Sequence, residues 1–249
     1  MFHLKQVTKM KKIDKNTKTI EAYDRNPQFY ADKFDSYDIR IEDVDRGLKL
    51  NESRLPKVLE LGCGSGRDAQ YIVSKVGIDN YIGIDASSGL IALARKKVPK
   101  AEFHVKDMRK VDFNDETFGI IFSFASMLHV NREELTKIIE KCHKWLKIGG
   151  ILYISTKYGQ YKEENIKNLG DDKYYYFYQP EDIEKLCPYK FFVVYKNVQD
   201  IRGQSWFEIV LRKIGGVAEG RRGYSFRRLR SRVGETEQIF SRKLCVLRK

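Results

Sequence analysis

The segment that most constrains the fold of this chain is residues 58–69, where an apolar strand runs into a glycine loop and then into a helix. Glycines in such a loop let backbone N–H groups and the helix N-terminus approach a polar or anionic ligand. The spacing G-x-G-x-G is formed by Gly62, Gly64 and Gly66. A dinucleotide-binding loop would place a glycine at position 67, which is Arg67, so that ligand is disfavoured. A plain tight turn is the alternative.

The middle of the chain alternates short apolar runs with longer amphipathic stretches, the pattern of β-α-β units around a parallel sheet. Strands are predicted at residues 58–61, 81–85, 102–105, 119–124 and 151–155. Between the last two, apolar residues at helical spacing predict a helix over residues 132–146. Asn131 and Glu134 form a capping pair at its start, and Gly149-Gly150 is expected to end it.

Two further strand-like runs, residues 191–198 and 206–211, are joined by a short segment that contains Arg202-Gly203. A parallel crossover needs a dozen or more residues. The two runs are therefore expected to pair as an antiparallel hairpin at the edge of the sheet.

Acidic residues follow the second and third predicted strands. Asp85 lies at the C-terminal tip of the second strand, where a carboxylate can accept hydrogen bonds from both hydroxyls of a ribose. Asp107 follows the third strand and could accept from an exocyclic amine, while Met108 packs against a flat ring. Together they indicate an adenine nucleoside, although helix capping or solvated strand ends would also explain the two acids.

These segments, in this order, resemble the class I S-adenosylmethionine-dependent methyltransferases over roughly residues 19–213. The resemblance is carried by the loop from Glu60 to Gly66, by Asp85, by Asp107-Met108, by residues 118–130 and by Leu146-Lys147-Ile148-Gly149-Gly150. Many relatives have proline where this chain has Ile148, a difference that should change little. The resemblance implies an α/β fold of the Rossmann-like type, with a doubly wound, mostly parallel seven-stranded sheet that ends in a C-terminal antiparallel hairpin.

The resemblance also implies a ligand, with S-adenosylmethionine as the cofactor and S-adenosylhomocysteine as the product. In this family the loop glycines contact the methionine part of the cofactor, the acid matching Asp85 holds the ribose, and the acid matching Asp107 lies at the adenine. The expected cofactor-binding residues are Glu60, Gly62, Gly64, Gly66, Asp85, Ala86, Asp107, Met108 and Phe124. No metal is expected.

The sulfonium of the cofactor makes its methyl group electrophilic, so the protein mainly has to align a nucleophile and exclude water. A base is needed only if the acceptor arrives protonated. His129, just past the fourth strand, is the first candidate, and a core histidine with one backbone hydrogen bond is an equally open interpretation. Tyr30 is the second, on a segment that resembles the lid helix of relatives.

Residues 173–178 read Lys-Tyr-Tyr-Tyr-Phe-Tyr, and alternation would place Tyr174, Tyr176 and Tyr178 on one face and Tyr175 with Phe177 on the other. An aromatic substrate wall and a partly exposed strand packed on the sheet edge are both consistent with this run, because aromatic residues are common in strands.

The formal net charge of +13 is concentrated at the two ends. Residues 1–18 carry +5 and residues 214–249 carry +7, so the centre is nearly neutral. We therefore expect a basic extension at 1–18, the catalytic domain at 19–213 and a basic tail at 214–249. Arginines interleaved with aromatics at 220–232 could bind nucleic acid, or the tail could be solvated and poorly ordered.

The four cysteines are not spaced for a zinc site, and no apolar run is long enough for a membrane span or a signal peptide. We expect a cytoplasmic protein without a membrane partner, either monomer or homodimer. The favoured function is transfer of a methyl group to a nitrogen or oxygen of a small-molecule acceptor. The alternatives are an RNA or protein methyltransferase that uses the basic tails, and a non-catalytic nucleoside-binding module.

Overall fold

The computed structural model describes residues 14–187 and 190–215. The helices in these ranges are α1 (Lys15–Arg25), α2 (Pro27–Asp35), α3 (Ile41–Leu50), α4 (Ala69–Val76), α5 (Ser88–Lys97), α6 (Arg132–Trp145) and α7 (Pro180–Leu186). The strands are β1 (Val58–Leu61), β2 (Tyr81–Asp85), β3 (Glu102–Val105), β4 (Phe118–Phe124), β5 (Leu146–Lys157), β6 (Lys162–Asn168), β7 (Asp171–Phe177), β8 (Phe191–Ile201) and β9 (Gln204–Lys213).

The main sheet of the described chain has seven strands in the order β3-β2-β1-β4-β5-β9-β8. Strands β1 to β5 run parallel, while β9 is antiparallel to β5 and β8 is antiparallel to β9. The chain winds outward in both directions from β1 and β4. The carboxyl ends of these two strands therefore form a topological switch point, where open α/β sheets bind ligands. The predicted fold class is confirmed.

Both faces of the sheet are buried, which explains why its central strands are apolar along their whole length. Successive side chains of β1 enter different cores, because side chains alternate across a strand. Leu59 and Leu61 belong to a core with α6 and α7, whereas Val58 packs in a second core with α3, α4 and α5. All seven residues of β4 are buried.

The C-terminal antiparallel hairpin is confirmed as β8 and β9. Its loop, Arg202-Gly203, has φ angles of +55° and +76°, as a two-residue type I′ turn requires. The side chain of Asp200 supports the turn, since its Oδ1 accepts a hydrogen bond from the N–H of Gly203 at 2.7 Å.

The predicted end of the helix that precedes β5 is wrong. Helix α6 stops at Trp145, because Leu146 has extended dihedral angles (φ −73°, ψ 139°) and pairs with Phe118 as the first residue of β5. Gly149-Gly150 lies inside the irregular start of that strand and does not terminate the helix. The capping box predicted at the start of α6 is present.

Strands β6 and β7 form a separate two-stranded antiparallel sheet. The run 173–178 is a strand as far as Phe177, but its predicted position on the main sheet edge is wrong, because its partner is β6. Helix α1 packs on β7: Thr19 Oγ1 accepts a hydrogen bond from Tyr174 N at 3.0 Å, and Arg25 pairs with Asp171. The segment expected to resemble a lid therefore consists of α1 and α2, separated at Asn26.

Most of the two predicted basic ends lies outside the described residues, which begin at Asp14 and stop at Gly215. Residues 15–18 of the predicted extension form the first turn of α1. Within the described ranges, no helix has the length and apolar character needed to cross a membrane, and no cluster of three or more His, Cys, Asp or Glu side chains is arranged to hold a metal ion.

Candidate active site

A cavity of about 1190 Å³ opens at the carboxyl ends of β1, β2, β4 and β5. Its other walls come from α1, from the loop between α2 and α3, from β7 and from the tip of the β8–β9 hairpin. The predicted site residues that line it are Glu60, Gly62, Gly64, Asp85, Ala86, Asp107, Met108, Phe124 and His129. Gly66 and Tyr30 do not line it. The chain thus brings nearly all of the predicted residues to one cavity.

The glycine loop adopts backbone angles that favour glycine, with φ of +73° at Gly62, +55° at Gly64 and +76° at Gly66. A Cβ atom at Gly62 would lie 2.2 Å from the Cβ of Ser126. At Gly64 the same position is open space, so its backbone can be approached from the cavity. Gly66 packs on α5, where its Cβ would lie 3.2 Å from Ala94.

The carboxylate of Asp85 is held against the glycine loop. Its Oδ2 accepts from the N–H of Gly64 at 2.9 Å, and its Oδ1 accepts from the N–H of Ser87 at 2.8 Å. Burial raises the pKa of Asp85, the nearby charge of Asp24 adds to this, and the two backbone hydrogen bonds oppose it. Each oxygen keeps a lone pair that can accept from a ligand hydroxyl.

The far end of the cavity contains Asp107 and Met108. Both oxygens of Asp107 accept from Arg109, whose Nε lies 3.1 Å from each and whose Nη2 lies 2.8 Å from Oδ2. Arg109 also pairs with Asp14 at 2.7 Å and with Glu134 at 3.0 Å. The sequence pattern did not indicate Arg109, which ties this end of the cavity to the start of α1 and to α6.

Polar groups at the loop end of the cavity fit a nucleoside cofactor with a polar tail. Ser65 is 2% exposed, and its Oγ has no hydrogen-bond partner within the described residues. Burial raises the pKa of Glu60 to about 8, and its carboxyl group accepts from the hydroxyl of Tyr81 at 2.5 Å. An orphaned hydroxyl and an open glycine backbone are features that a bound ligand would satisfy.

His129 follows β4, where a short 3₁₀ turn places its imidazole in the cavity wall between α1 and β7. Its Nδ1 lies 2.8 Å from the carbonyl oxygen of Tyr174 and its Nε2 lies 3.0 Å from the hydroxyl of Tyr23. A carbonyl only accepts, so Nδ1 carries the proton and Nε2 accepts from Tyr23. Burial lowers the pKa of His129 to about 4, so the imidazole is neutral at pH 7.

Tyr23 was not among the predicted site residues, although it lies on the segment that resembles a lid. Desolvation raises the pKa of its hydroxyl well above the usual value. Tyr30, the predicted second candidate, is fully buried behind it, with ring centroids 4.7 Å apart. Of the predicted aromatic run, Tyr175 lines the cavity, whereas Tyr176 is buried in the core.

Lys173 and Lys157 were also missed, and both line the cavity beside Tyr175. Lys173 is 4% exposed, and its Nζ has neither a hydrogen bond nor a carboxylate partner within the described residues. The Nζ lies 4.3 Å from the ring centroid of Tyr30 and 5.1 Å from that of Tyr23. Desolvation, together with the charges of Lys33 and Lys157, lowers the pKa of Lys173 to about 8. In the sequence, the alternation that places residues 173 and 175 on the same face of a strand could have indicated that Lys173 lies beside Tyr175.

The fold and the acid-lined cavity define a Rossmann-like nucleoside-binding domain. Residues 58–150 match the family described as Methyltransferase domain. Over these residues the chain is similar to the class I S-adenosylmethionine-dependent methyltransferases, a class whose cofactor is S-adenosylmethionine.

Curated relatives match part of the chain. The phosphoethanolamine N-methyltransferase of Plasmodium falciparum is 36% identical over 121 residues, which is 47% of this chain and 44% of that protein. The demethylmenaquinone methyltransferase of Chlorobaculum parvum is 34% identical over 106 residues, 43% of each. The chain thus spans less than half the length of these relatives.

Solved structures share the fold. The 1,6-didemethyltoxoflavin-N1-methyltransferase of Burkholderia thailandensis, with 1,6-didemethyltoxoflavin and S-adenosylhomocysteine bound, has a TM-score of 0.63 at 15% identity, covering 80% of this chain and 88% of that one. A methyltransferase from Methanosarcina mazei has a TM-score of 0.57 at 21% identity, covering 67% of this chain and 96% of that one.

Proposed function

We propose that this chain transfers the methyl group of S-adenosylmethionine to a nitrogen or oxygen of a small acceptor that also carries an anionic group. The observation that carries the proposal is the buried ammonium of Lys173, which lies beside the paired Tyr23 and His129 in the cavity of the glycine loop.

On the cofactor side, Asp85 would accept from the ribose hydroxyls, while Asp107 and Met108 would lie at the adenine. Gly62 and Gly64 would bring backbone groups to the methionine part. When bound, S-adenosylmethionine supplies a methyl group on a positively charged sulfur, which leaves the protein to position the nucleophile and exclude water.

On the acceptor side, Tyr23 and His129 provide a route for a proton. The neutral Nε2 of His129 accepts the phenolic hydrogen of Tyr23, so a lone pair of the Tyr23 oxygen is available to an N–H or O–H of the acceptor. An acceptor proton taken by Tyr23 would displace the phenolic proton to His129. A nearby anionic group on the acceptor would make His129 more basic, because it stabilises the imidazolium.

We propose an anionic group on the acceptor because Lys173 is buried and still largely charged at pH 7. A buried ammonium without a partner costs free energy, which an anionic ligand would offset. Lys157 lies on the same wall of the cavity, with its Nζ 4.6 Å from the ring centroid of Tyr175. Burial lowers the pKa of Lys157 as well. The charge of Lys157 lowers the pKa of Lys173, and an anion beside the two ammonium groups would offset this repulsion.

The similarity to phosphoethanolamine N-methyltransferases supports an acceptor of this chemistry, since phosphoethanolamine joins an amine to a phosphate. The experiment compares methyl transfer to phosphoethanolamine, to β-alanine, whose anion is a carboxylate, and to ethanolamine, which has none. We expect transfer to at least one anionic acceptor and little transfer to ethanolamine.

Variants of Lys173 test whether this side chain causes the preference for an anionic acceptor. Lys173→Met should raise KM for the anionic acceptor about 10-fold or more, the usual effect of losing a hydrogen bond to a charged group. Lys173→Arg should retain binding, and Lys162→Met, on the neighbouring strand with a 59% exposed side chain, is the matched control. Equal use of ethanolamine and phosphoethanolamine would contradict the anionic acceptor. Cofactor binding without transfer to any acceptor would favour a non-catalytic module.

A further inference from the structure

The cavity extends beyond Lys157 to the tip of the β8–β9 hairpin. Trp206 of β9 lies opposite Lys157 of β5, Ile201 is the last residue of β8, and all three line the cavity. In the sheet order β9 lies three strands from β1, which is about 14 Å at the usual spacing of neighbouring strands. This part of the cavity is therefore separate from the glycine loop and lies beside one of the lysines proposed to bind the anion.

The loop between α2 and α3 meets the hairpin tip across this end of the cavity. Tyr37 and Ile39 of the loop line the cavity. The guanidinium of Arg202, at the hairpin tip, lies 4.5 Å from the ring centroid of Tyr37, and its Nη2 lies 3.5 Å from the carbonyl oxygen of Ser36. The loop and the hairpin tip therefore form two walls of one opening.

Large apolar side chains are exposed on both of these walls. Ile39 and Ile41 on the loop side and Ile201 on the hairpin are exposed to solvent, although each lines the cavity. Tyr37 and Trp206 in the same walls are only partly buried. Single exposed apolar residues are ordinary, but a group of them around one opening is typical of a ligand-binding groove.

The cavity is also large enough for a longer acceptor. A site for one small ligand encloses about 300–1,000 Å³. The cavity of about 1190 Å³ can hold the cofactor together with an acceptor that extends past its anionic group. Removing the exposed isoleucine side chains from water is favourable in proportion to the apolar area that is covered.

We infer that Ile39, Ile201 and Trp206 form an apolar subsite for the acceptor, so that the acceptor joins its anionic group to an apolar group of several carbons. This subsite rests on the proposed function, because it adds a further group to the same acceptor. Lys157 lies opposite Trp206 in the β5–β9 register, which places the apolar subsite next to the proposed anion site.

Calorimetric titration of the native chain, with S-adenosylhomocysteine in excess, tests this with butanoate, hexanoate and octanoate. The three probes carry the same anion and differ only in apolar length. Each buried methylene should strengthen binding about two- to fourfold, so we expect octanoate to bind at least about 10-fold more tightly than butanoate.

Variants assign the length dependence to the subsite. Ile39→Ser and Ile201→Ser should each reduce the ratio of octanoate to butanoate affinity, and the double variant should reduce it further. Their affinity for butanoate should stay unchanged, which shows that the cavity is intact. Lys173→Met should weaken all three probes by the same factor, because it alters the anion site alone.

Val198→Ser is the matched control and should keep the full ratio. Val198 lies on the same strand as Ile201 and is 48% exposed, against 36% for Ile201, but it does not line the cavity. Equal affinity for the three carboxylates, or a full ratio in the double variant, would overturn the inference and leave the anionic acceptor standing.

Two other outcomes would also overturn it. If the native chain binds none of the three carboxylates, the anionic acceptor of the proposed function fails, and the apolar subsite fails with it. If the isoleucine variants keep the full ratio but lose sedimentation with phosphatidylglycerol vesicles, these side chains contact a membrane surface and do not form an acceptor subsite.

Discussion

His129 and Lys173 share a physical state, because burial pushes both side chains toward their neutral forms. The pKa of His129 falls to about 4, so its base form predominates at neutral pH. The pKa of Lys173 falls only to about 8, so its ammonium still predominates at pH 7. Between these two values the cavity combines a neutral imidazole with a buried cation, the pair of states that the proposed reaction needs.

Removing the proton route should reduce turnover without affecting cofactor binding. Tyr23→Phe and His129→Gln each lose one group of the hydrogen-bonded pair, and we expect kcat to fall about 10²- to 10⁴-fold. The affinity for S-adenosylhomocysteine should change less than about threefold.

Steady-state kinetics and calorimetry on the same preparations check this prediction. The double variant should lose little more than the worse single one, since the two groups act together. Full turnover in His129→Gln would show that His129 is only a packed core residue, the interpretation that the sequence left open.

At the scale of elements, α1 connects the start of α5 to the proposed acceptor side of the cavity. Asp24 Oδ1 accepts from Ser87 Oγ at 2.6 Å and from the N–H of Gly89 at 2.9 Å, at the start of α5. Ser87 also donates its N–H to Asp85. The residue before Asp24 is Tyr23. The same helical turn therefore positions the proposed catalytic hydroxyl and contacts Ser87, which follows the proposed ribose ligand Asp85.

Asp24→Ala should therefore destabilise the domain by about 1–2 kcal/mol, through loss of a helix-end contact and two hydrogen bonds. Its turnover should fall as well, because the position of Tyr23 is less fixed. Asp32→Ala is the control, since the Asp32 side chain accepts from Gln28 of the same exposed helical turn. Thermal unfolding that is identical in both variants would show that α1 is not anchored through Asp24.

The parallel strands and the acids that line the cavity were predictable from sequence, because their signals are local: apolar runs, glycine spacing and acids at strand ends. The two-stranded sheet was not, since β6 reads Lys-Glu-Glu-Asn-Ile-Lys-Asn and has no apolar alternation. The predicted end of α6 was wrong because Leu146 suits either a helix or a strand. Its pairing with Phe118 places it in β5. Tyr23 and His129 are 106 positions apart, so their contact depends on tertiary packing.

At the scale of the whole molecule, buried titratable groups link stability to pH. The folded state holds Glu60 protonated up to about pH 8, while the unfolded chain releases that proton near pH 4.5. The unfolded state therefore binds fewer protons over this range, and stability falls as the pH rises from about 4.5 to 8. His129 affects stability at acidic pH. In the unfolded chain it binds a proton near pH 6.5, whereas in the folded chain it stays neutral down to about pH 4, so stability falls as the pH drops from about 6.5 to 4.

Glu60→Gln should remove the alkaline part of this dependence. At pH 8 we expect the variant to be more stable than the native chain by about 1 kcal/mol or more, and at pH 4.5 the difference should vanish. Denaturant unfolding at the two pH values checks this. Glu52→Gln, at a side chain that is 71% exposed, should show no such difference between the two pH values. A Glu60→Gln variant that is less stable at pH 8 would show that this carboxyl group is ionised in the folded state.

We expect the cavity at the ends of β1, β2 and β4 to bind S-adenosylmethionine. The most direct measurement is calorimetric titration of the native chain with S-adenosylmethionine and S-adenosylhomocysteine, with NAD as the control and Asp85→Ala as the site variant. We expect binding of the first two ligands, none of NAD, and markedly weaker binding in the variant. Binding of neither ligand, or equal affinity in native chain and variant, would contradict it.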